Sequence, residues 1–317
     1  AKVQNTGLTM KNTPFIAVTS QPVPYHADTT AIFNTLCQQN SNSLLLDSAE
    51  IGSKNSLQSL ILINAAVKIT CLGNQVTFRA LNANGKQMLK EIHPVLSQLG
   101  TVSTVNFDNE FSVQFAPLDN QLDEDSKLQA ATIFDGLRVI SNHYQHSSTP
   151  VFLGGLFAYD LVANFIPMQG VELKDDGIHC PDYSFYLAEN LITIDHQSQQ
   201  ATLKSFCFSQ EEQVEVAKTA LSIAQKLRNI DGVLSIKAAS DEVSTNFEDP
   251  EFIGIVKALK HHINIGDVFQ IVPSRRFSLD CPNTLASYAQ LKHNNPSPYM
   301  FYMNDEDFIL FGASPES

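Results

Sequence analysis

No tryptophan occurs among the 317 residues, and cysteine is limited to five, Cys37, Cys71, Cys180, Cys207 and Cys281, with no C-x-x-C pair. An odd, scattered set of thiols argues against a disulfide framework and a zinc site, and fits a reducing compartment. Long apolar runs are missing as well. The longest, residues 57–69, is interrupted by Gln58, Ser59, Asn64 and Lys68, well short of the ~20 apolar residues that a membrane span needs. Residues 1–15 carry two lysines but no following apolar h-region, so no secretory signal is read and the cytoplasm is the expected location. Basic residues are outnumbered, 20 Lys and Arg against 33 Asp and Glu, for a formal charge of −13. With no basic block to reverse that locally, attraction to phosphate backbones is opposed and nucleic acid is not expected as a partner.

What is present is a globular composition, 43% hydrophobic and 17% charged, in a chain long enough for one large or two ordinary domains. Asp28 caps a helix carrying Ile32, Phe33 and Leu36 at helical spacing. Residues 44–46 enter a strand-like run, and residues 60–72 and 76–81 read as a hairpin around Gly73-Asn74. Met88, Ile92, Val95, Leu96 and Leu99 share a helical face that Pro94 must kink or end. Residues 123–140 read as helix, while residues 151–159, 183–187, 191–195 and 201–208 are rich in β-formers. Ser209 and Glu212 have capping-box spacing ahead of a stripe of Val214, Ala217, Leu221, Ala224 and Leu227. Residues 230–249 are polar, show little hydrophobic periodicity and read as a linker. Beyond it, Asp249-Pro250-Glu251 opens a helix that buries Phe252, Ile255, Val256, Leu259 and Ile263 and that Gly266 stops; residues 268–272 and 308–311 read as strands. The expected fold is α+β, mainly antiparallel sheets with flanking helices. Residues 1–208 form its first domain, 209–248 a helix and linker, and 249–317 the start of a second, incomplete domain, too short to bury both faces of its sheet.

Two segments carry candidate chemistry. In Leu44-Leu45-Leu46-Asp47-Ser48-Ala49-Glu50-Ile51 a strand delivers an acid and a hydroxyl to its end, which could bind an ammonium and a carboxylate or simply begin a turn, the commoner case. In Asn295-Pro296-Ser297-Pro298-Tyr299-Met300-Phe301 two prolines fix the backbone, so that a ring and a thioether could meet another aromatic ring, although core packing is again commoner. Arg275-Arg276 resembles a carboxylate clamp, but neighbours on a strand face opposite ways and a structural salt bridge is the better account. His261-His262 cannot share one helix face as i, i+4 metal ligands would.

Both segments, together with Gly266-Asp267-Val268-Phe269-Gln270-Ile271-Val272-Pro273-Ser274-Arg275-Arg276-Phe277 and Phe311-Gly312-Ala313-Ser314-Pro315-Glu316-Ser317, closely resemble the large component of anthranilate synthase. Gly154-Gly155-Leu156-Phe157-Ala158-Tyr159-Asp160-Leu161 and Asp182-Tyr183-Ser184-Phe185-Tyr186-Leu187-Ala188-Glu189 extend the likeness over nearly the whole chain from Phe15 onward. The resemblance implies a tryptophan feedback site at Ser48, Pro298, Tyr299 and Met300, with Asp47 as an ammonium partner where bacterial relatives commonly carry glutamate. A lysine that often follows in the family stands here as Gln58. The resemblance also implies conversion of chorismate and ammonia to anthranilate and pyruvate, with Mg²⁺ as cofactor. A glutamine amidotransferase subunit is the implied partner, in a heterotetramer. The family segments for the metal and for proton transfer come after the point matched by Ser317, so no catalytic or metal residue is expected within this chain, and the chain alone is expected to be inactive. A second reading is the related aminodeoxychorismate synthase component. A third is an amino-acid-binding regulatory module without catalysis. The absence of tryptophan suits a protein that must be made when that amino acid is scarce.

Overall fold

The computed structural model describes residues 13–37, 40–48, 57–106, 109–117, 121, 123–166, 180–230, 232, 234 and 242–315. In chain order the elements are β1 (Ala17–Val23), α1 (Thr29–Cys37), β2 (Ser43–Asp47), β3 (Gln58–Leu72), β4 (Gln75–Ala80), α2 (Ala83–Leu96), β5 (Thr101–Asn106), β6 (Glu110–Gln114), α3 (Glu124–Gln129), α4 (Asp135–His143), β7 (Leu153–Phe157), β8 (Tyr183–Asp195), β9 (Gln200–Cys207), α5 (Gln213–Lys226), β10 (Val243–Thr245), α6 (Asp249–Asn264), β11 (Phe277–Leu279), α7 (Thr284–Asn294), β12 (Tyr299–Asn304) and β13 (Ile309–Ser314). The chain divides into two compact units, Ala1–Val233 with Leu291–Ser317, and Leu234–Gln290.

The first unit is built on an 11-stranded sheet in the order β1-β9-β8-β3-β2-β12-β13, with β4, β5, β6 and β7 branching from β3 and β8. Its strand pairs are antiparallel. This is the α+β, mainly antiparallel architecture that the sequence implies. The apolar alternation of β3 and β4 makes the expected hairpin, and Gly73 takes φ 58° at its turn, a conformation with little cost for glycine. Asp28 accepts from the backbone N–H of Thr30 and Ala31 at 3.0 and 3.1 Å, which caps α1. Met88, Ile92 and Leu96 of α2 bury their shared face with Phe78, Phe111, Tyr183 and Leu187 in the core. Pro94 sits in the last turn of α2, which runs only two residues further, so Leu99 lies outside the helix. Residues 291–317 lie with this first unit, whereas the sequence groups 249–317 as one piece. The cause is β12, which pairs with β2 on one side and β13 on the other.

Several local expectations are revised. Residues 123–140 form two helices, because Ala130 turns extended at ψ 141° and Asp135 accepts from the N–H of Thr132 at 2.7 Å to start the second. The runs 183–187 and 191–195 are one strand, β8. Ser209 makes no side-chain cap, and α5 buries Val216, Ala220 and Ile223, with Leu227 buried just past its end, while Val214 and Leu221 stay exposed. In the second unit, α6 starts at Asp249 with Glu248 as its cap residue, and Gly266 at φ 86° ends it as expected. No residue of α6 is fully buried. Residues 268–272 make no strand, and Phe269 and Val272 are exposed. The linker region contributes β10, paired with β11.

Candidate functional site

The strand portions of the two motif segments, about 250 residues apart in sequence, are neighbours in the sheet; residues 49–51 of the first lie outside the described residues. Met300 of β12 is the register partner of Asp47 at the end of β2, the first of five successive pairs that end with Asn304 opposite Ser43. The turn ahead of β12 is anchored by Ser297, whose hydroxyl donates to the carbonyl of Ser314 in β13. Alternation along β12 sends Tyr299 and Met300 to opposite faces. Met300 is 2% exposed on the Asp47 side, and Tyr299 is 50% exposed. Ser48, one residue past β2, and Pro298 are half-buried. The ring and the thioether that the sequence places on one surface are thus separated by the sheet.

Asp47 is the centre of a polar cluster. Its Oδ2 accepts from Lys292 Nζ at 2.6 Å and from Thr29 Oγ1 at 2.8 Å, and Lys292 Nζ also reaches Thr29 Oγ1 at 3.0 Å. Its Oδ1 accepts from the hydroxyl of Ser59. Since Ser59 gives its one proton to Asp47, its 2.8 Å contact with His196 has the imidazole Nε2–H donating. Nδ1 is then left to accept from the Tyr25 hydroxyl at 3.1 Å. Burial lowers the His196 pKa and outweighs the attraction of Asp47, which keeps the ring neutral at neutral pH. The capped start of α1, the end of β2, the start of β3, the residue after β8 and the end of α7 therefore meet at one carboxylate. Lys292, Thr29, Ser59 and His196 carry no motif or periodicity that marks them in the sequence. Gln58 is exposed at the start of β3.

A second buried cluster joins the β12–β13 turn to the middle of the sheet. Lys68 donates to Asp305 at 2.8 Å, with side chains 7% and 1% exposed, and Tyr186 also donates to Asp305. Arg79 and Asn42 hold Glu306 beside it. Cavities of about 520, 350 and 270 Å³ lie around Arg79 and Lys86, Cys71 and Phe308, and Thr77 and Asp307; none is lined by Asp47, Ser48, Pro298, Tyr299 or Met300. Arg275 donates to Asp249 at 2.6 Å and to Thr245 at 3.1 Å and lies over the ring of Phe277, a structural use of its guanidinium. His262 meets Asp267 at 2.8 Å on an exposed surface. Among the described residues no group of three or more His, Cys, Asp or Glu could hold a metal ion, and no Mg²⁺ ligand is assigned. No helix among them is long and apolar enough to cross a membrane.

The antiparallel sheet brings residues 43–47 and 300–304 side by side, and the chain belongs to the family of chorismate binding enzymes, whose model matches residues 92–317. It is similar to anthranilate synthase component 1 of Haemophilus influenzae, at 86% identity over 96% of this chain and 58% of that protein. The component 1 of Vibrio cholerae is 44% identical over 99% of this chain and 60% of its own length, and that of Escherichia coli 40% identical over 92% and 56%. The chain thus spans less than two thirds of the relatives it matches. The crystal structure of anthranilate synthase component I from Streptococcus pneumoniae superposes with a TM-score of 0.53 over 84% of this chain and 52% of that one, and at 19% identity it shows the fold alone.

Proposed function

We propose that this chain is the front portion of an anthranilate synthase large component and carries an L-tryptophan feedback site at the junction of β2 and β12. The observation that carries the reading is the pairing of Asp47 with Met300, which puts Ser48 next to the Pro298-Tyr299 turn. The Ser48 hydroxyl would bond a polar end of the ligand, Tyr299 and Pro298 would meet its ring, and Met300 and the Lys292-paired Asp47 would support the site from the buried face. A ligand held by two segments so far apart in sequence fixes their mutual placement, which is what feedback on a remote reaction requires. Turnover of chorismate and ammonia to anthranilate and pyruvate, the Mg²⁺ site and ammonia supply from a glutamine amidotransferase subunit in a cytoplasmic heterotetramer are assigned to the longer protein.

A titration with L-tryptophan tests the site, because the protein has no indole of its own. Saturable binding is expected, and Ser48→Ala should weaken it by about tenfold or more, the loss of one hydrogen bond to a charged group. Unchanged affinity in Ser48→Ala would remove that residue from the site.

A further inference from the structure

We infer that Lys292 is a positioning residue of the β2–β12 junction: through its ion pair with Asp47 it holds the Pro298-Tyr299 segment in register with Ser48, without itself contacting a ligand. Both oxygens of Asp47 are already engaged, one by Lys292 and Thr29 and the other by Ser59. The Asp47 carboxylate, 1% exposed, is therefore a fixed internal anion, and among the described residues Lys292 is a cation paired with it at 2.6 Å. The geometry makes this pair a latch. Lys292 leaves the end of α7 only three residues ahead of Asn295, where the proline-fixed segment begins. Asp47 is the last residue of β2 and directly precedes Ser48. Behind Asp47 the donors are rigid in turn, since Thr29 is fully buried at the capped start of α1 and Ser59 is backed by His196.

Taking one partner from a buried ion pair is far more disruptive than removing both charges together. That asymmetry separates a latch from general packing. The effect of Lys292 on ligand affinity rests on the tryptophan reading, whereas its effect on the exchange of β2 and β12 does not.

The test compares Lys292→Met, Lys292→Arg and the double variant Lys292→Met/Asp47→Asn in the whole protein, by amide hydrogen exchange and by L-tryptophan titration. In Lys292→Met, exchange in β2 and β12 should rise about tenfold or more while β8 and β9 stay unchanged, and tryptophan affinity should fall about tenfold. Lys292→Arg should restore slow exchange, and the double variant should exchange more slowly at these strands than Lys292→Met. Wild-type exchange in β2 and β12 of Lys292→Met, or a double variant that exchanges there as fast as Lys292→Met or faster, would overturn the latch. Absence of tryptophan binding to the unmodified protein would sink the feedback reading instead, and the exchange comparison would still decide the latch.

Discussion

Lys68 lies within the apolar run of β3, and a buried ammonium there is tolerated because Asp305 meets it at 2.8 Å. Replacing Asp305 by Asn leaves that ammonium with a neutral partner and the more distant Glu306 carboxylate at 3.9 Å, so stability at pH 7 should drop by about 3 kcal/mol, most of it recovered in Lys68→Met/Asp305→Asn. Urea unfolding reads both; an Asp305→Asn protein as stable as the original would mean the pair is idle. Burial opposes ionisation of Asp305, but the Lys68 ammonium and the Tyr186 hydroxyl outweigh it and hold the carboxyl below its usual range. A depressed folded pKa gives stability that is complete above the unfolded value of about 3.9 and is lost as pH falls through the folded value. Asp305→Asn should therefore flatten acid unfolding below about pH 4. Glu189 works in the opposite sense. Burial raises its pKa despite hydrogen bonds from Asn84 and Asn82, so its contribution weakens as pH rises above the unfolded value. At this scale the sequence exposes Asp47 and Ser48 because they end an apolar strand. It hides their neighbours, since Thr29 and Lys292 stand 18 and 245 residues from Asp47 and only the fold brings them together.

Among the elements, the β3–β4 hairpin is legible because alternating apolar residues and a Gly-Asn turn give both strands and their register locally. β8 is harder, since Glu189-Asn190 interrupts its apolar pattern and reads as a break. In the fold both are buried and satisfied, Glu189 by Asn82 and Asn84 and Asn190 by Ser205, so the strand runs through. Residues 268–272 mislead in the other direction, because an apolar run makes a strand only where a partner strand offers hydrogen bonds. The double glycine of β7 has a physical cause that the sequence does not print. A Cβ on Gly155 would lie 2.0 Å from the Ser184 carbonyl oxygen and 2.6 Å from Phe185 Cα, whereas one on Gly154 would meet only the side-chain tips of Phe152 and Leu44. Backbone of β8, paired on both sides by β7 and β3, cannot yield, but those tips can rotate. Gly155→Ala should thus cost about 3 kcal/mol and speed amide exchange in β7, with Gly154→Ala costing about 1 kcal/mol or less. Equal effects of the two changes would show that the backbone approach is not the constraint.

Across the whole molecule, buried apolar surface is divided very unevenly between the two units. The core of Phe78, Phe111, Tyr183, Tyr186 and their neighbours lies in the first unit. In the second, α6 has no fully buried residue, its predicted core stripe is at best half-buried, and Phe269, Val272, Phe277 and Leu279 are exposed. Local stability follows buried apolar contact, so the amides of α6 should open at far lower free energy than those of β3 and β8. Hydrogen exchange of the protein should find residues 249–264 exchanging at least about a hundredfold faster than the middle of β3, where Leu62, Val67 and Ile69 are fully buried. Limited proteolysis should cut first within the second unit and leave the sheet intact. The helix pattern of α6 was readable because Pro250 and Gly266 punctuate it, yet periodicity reports only which face would be buried. Exchange in α6 as slow as in β3 would mean that this stripe is covered in solution, and the uneven division of the core would have to be given up.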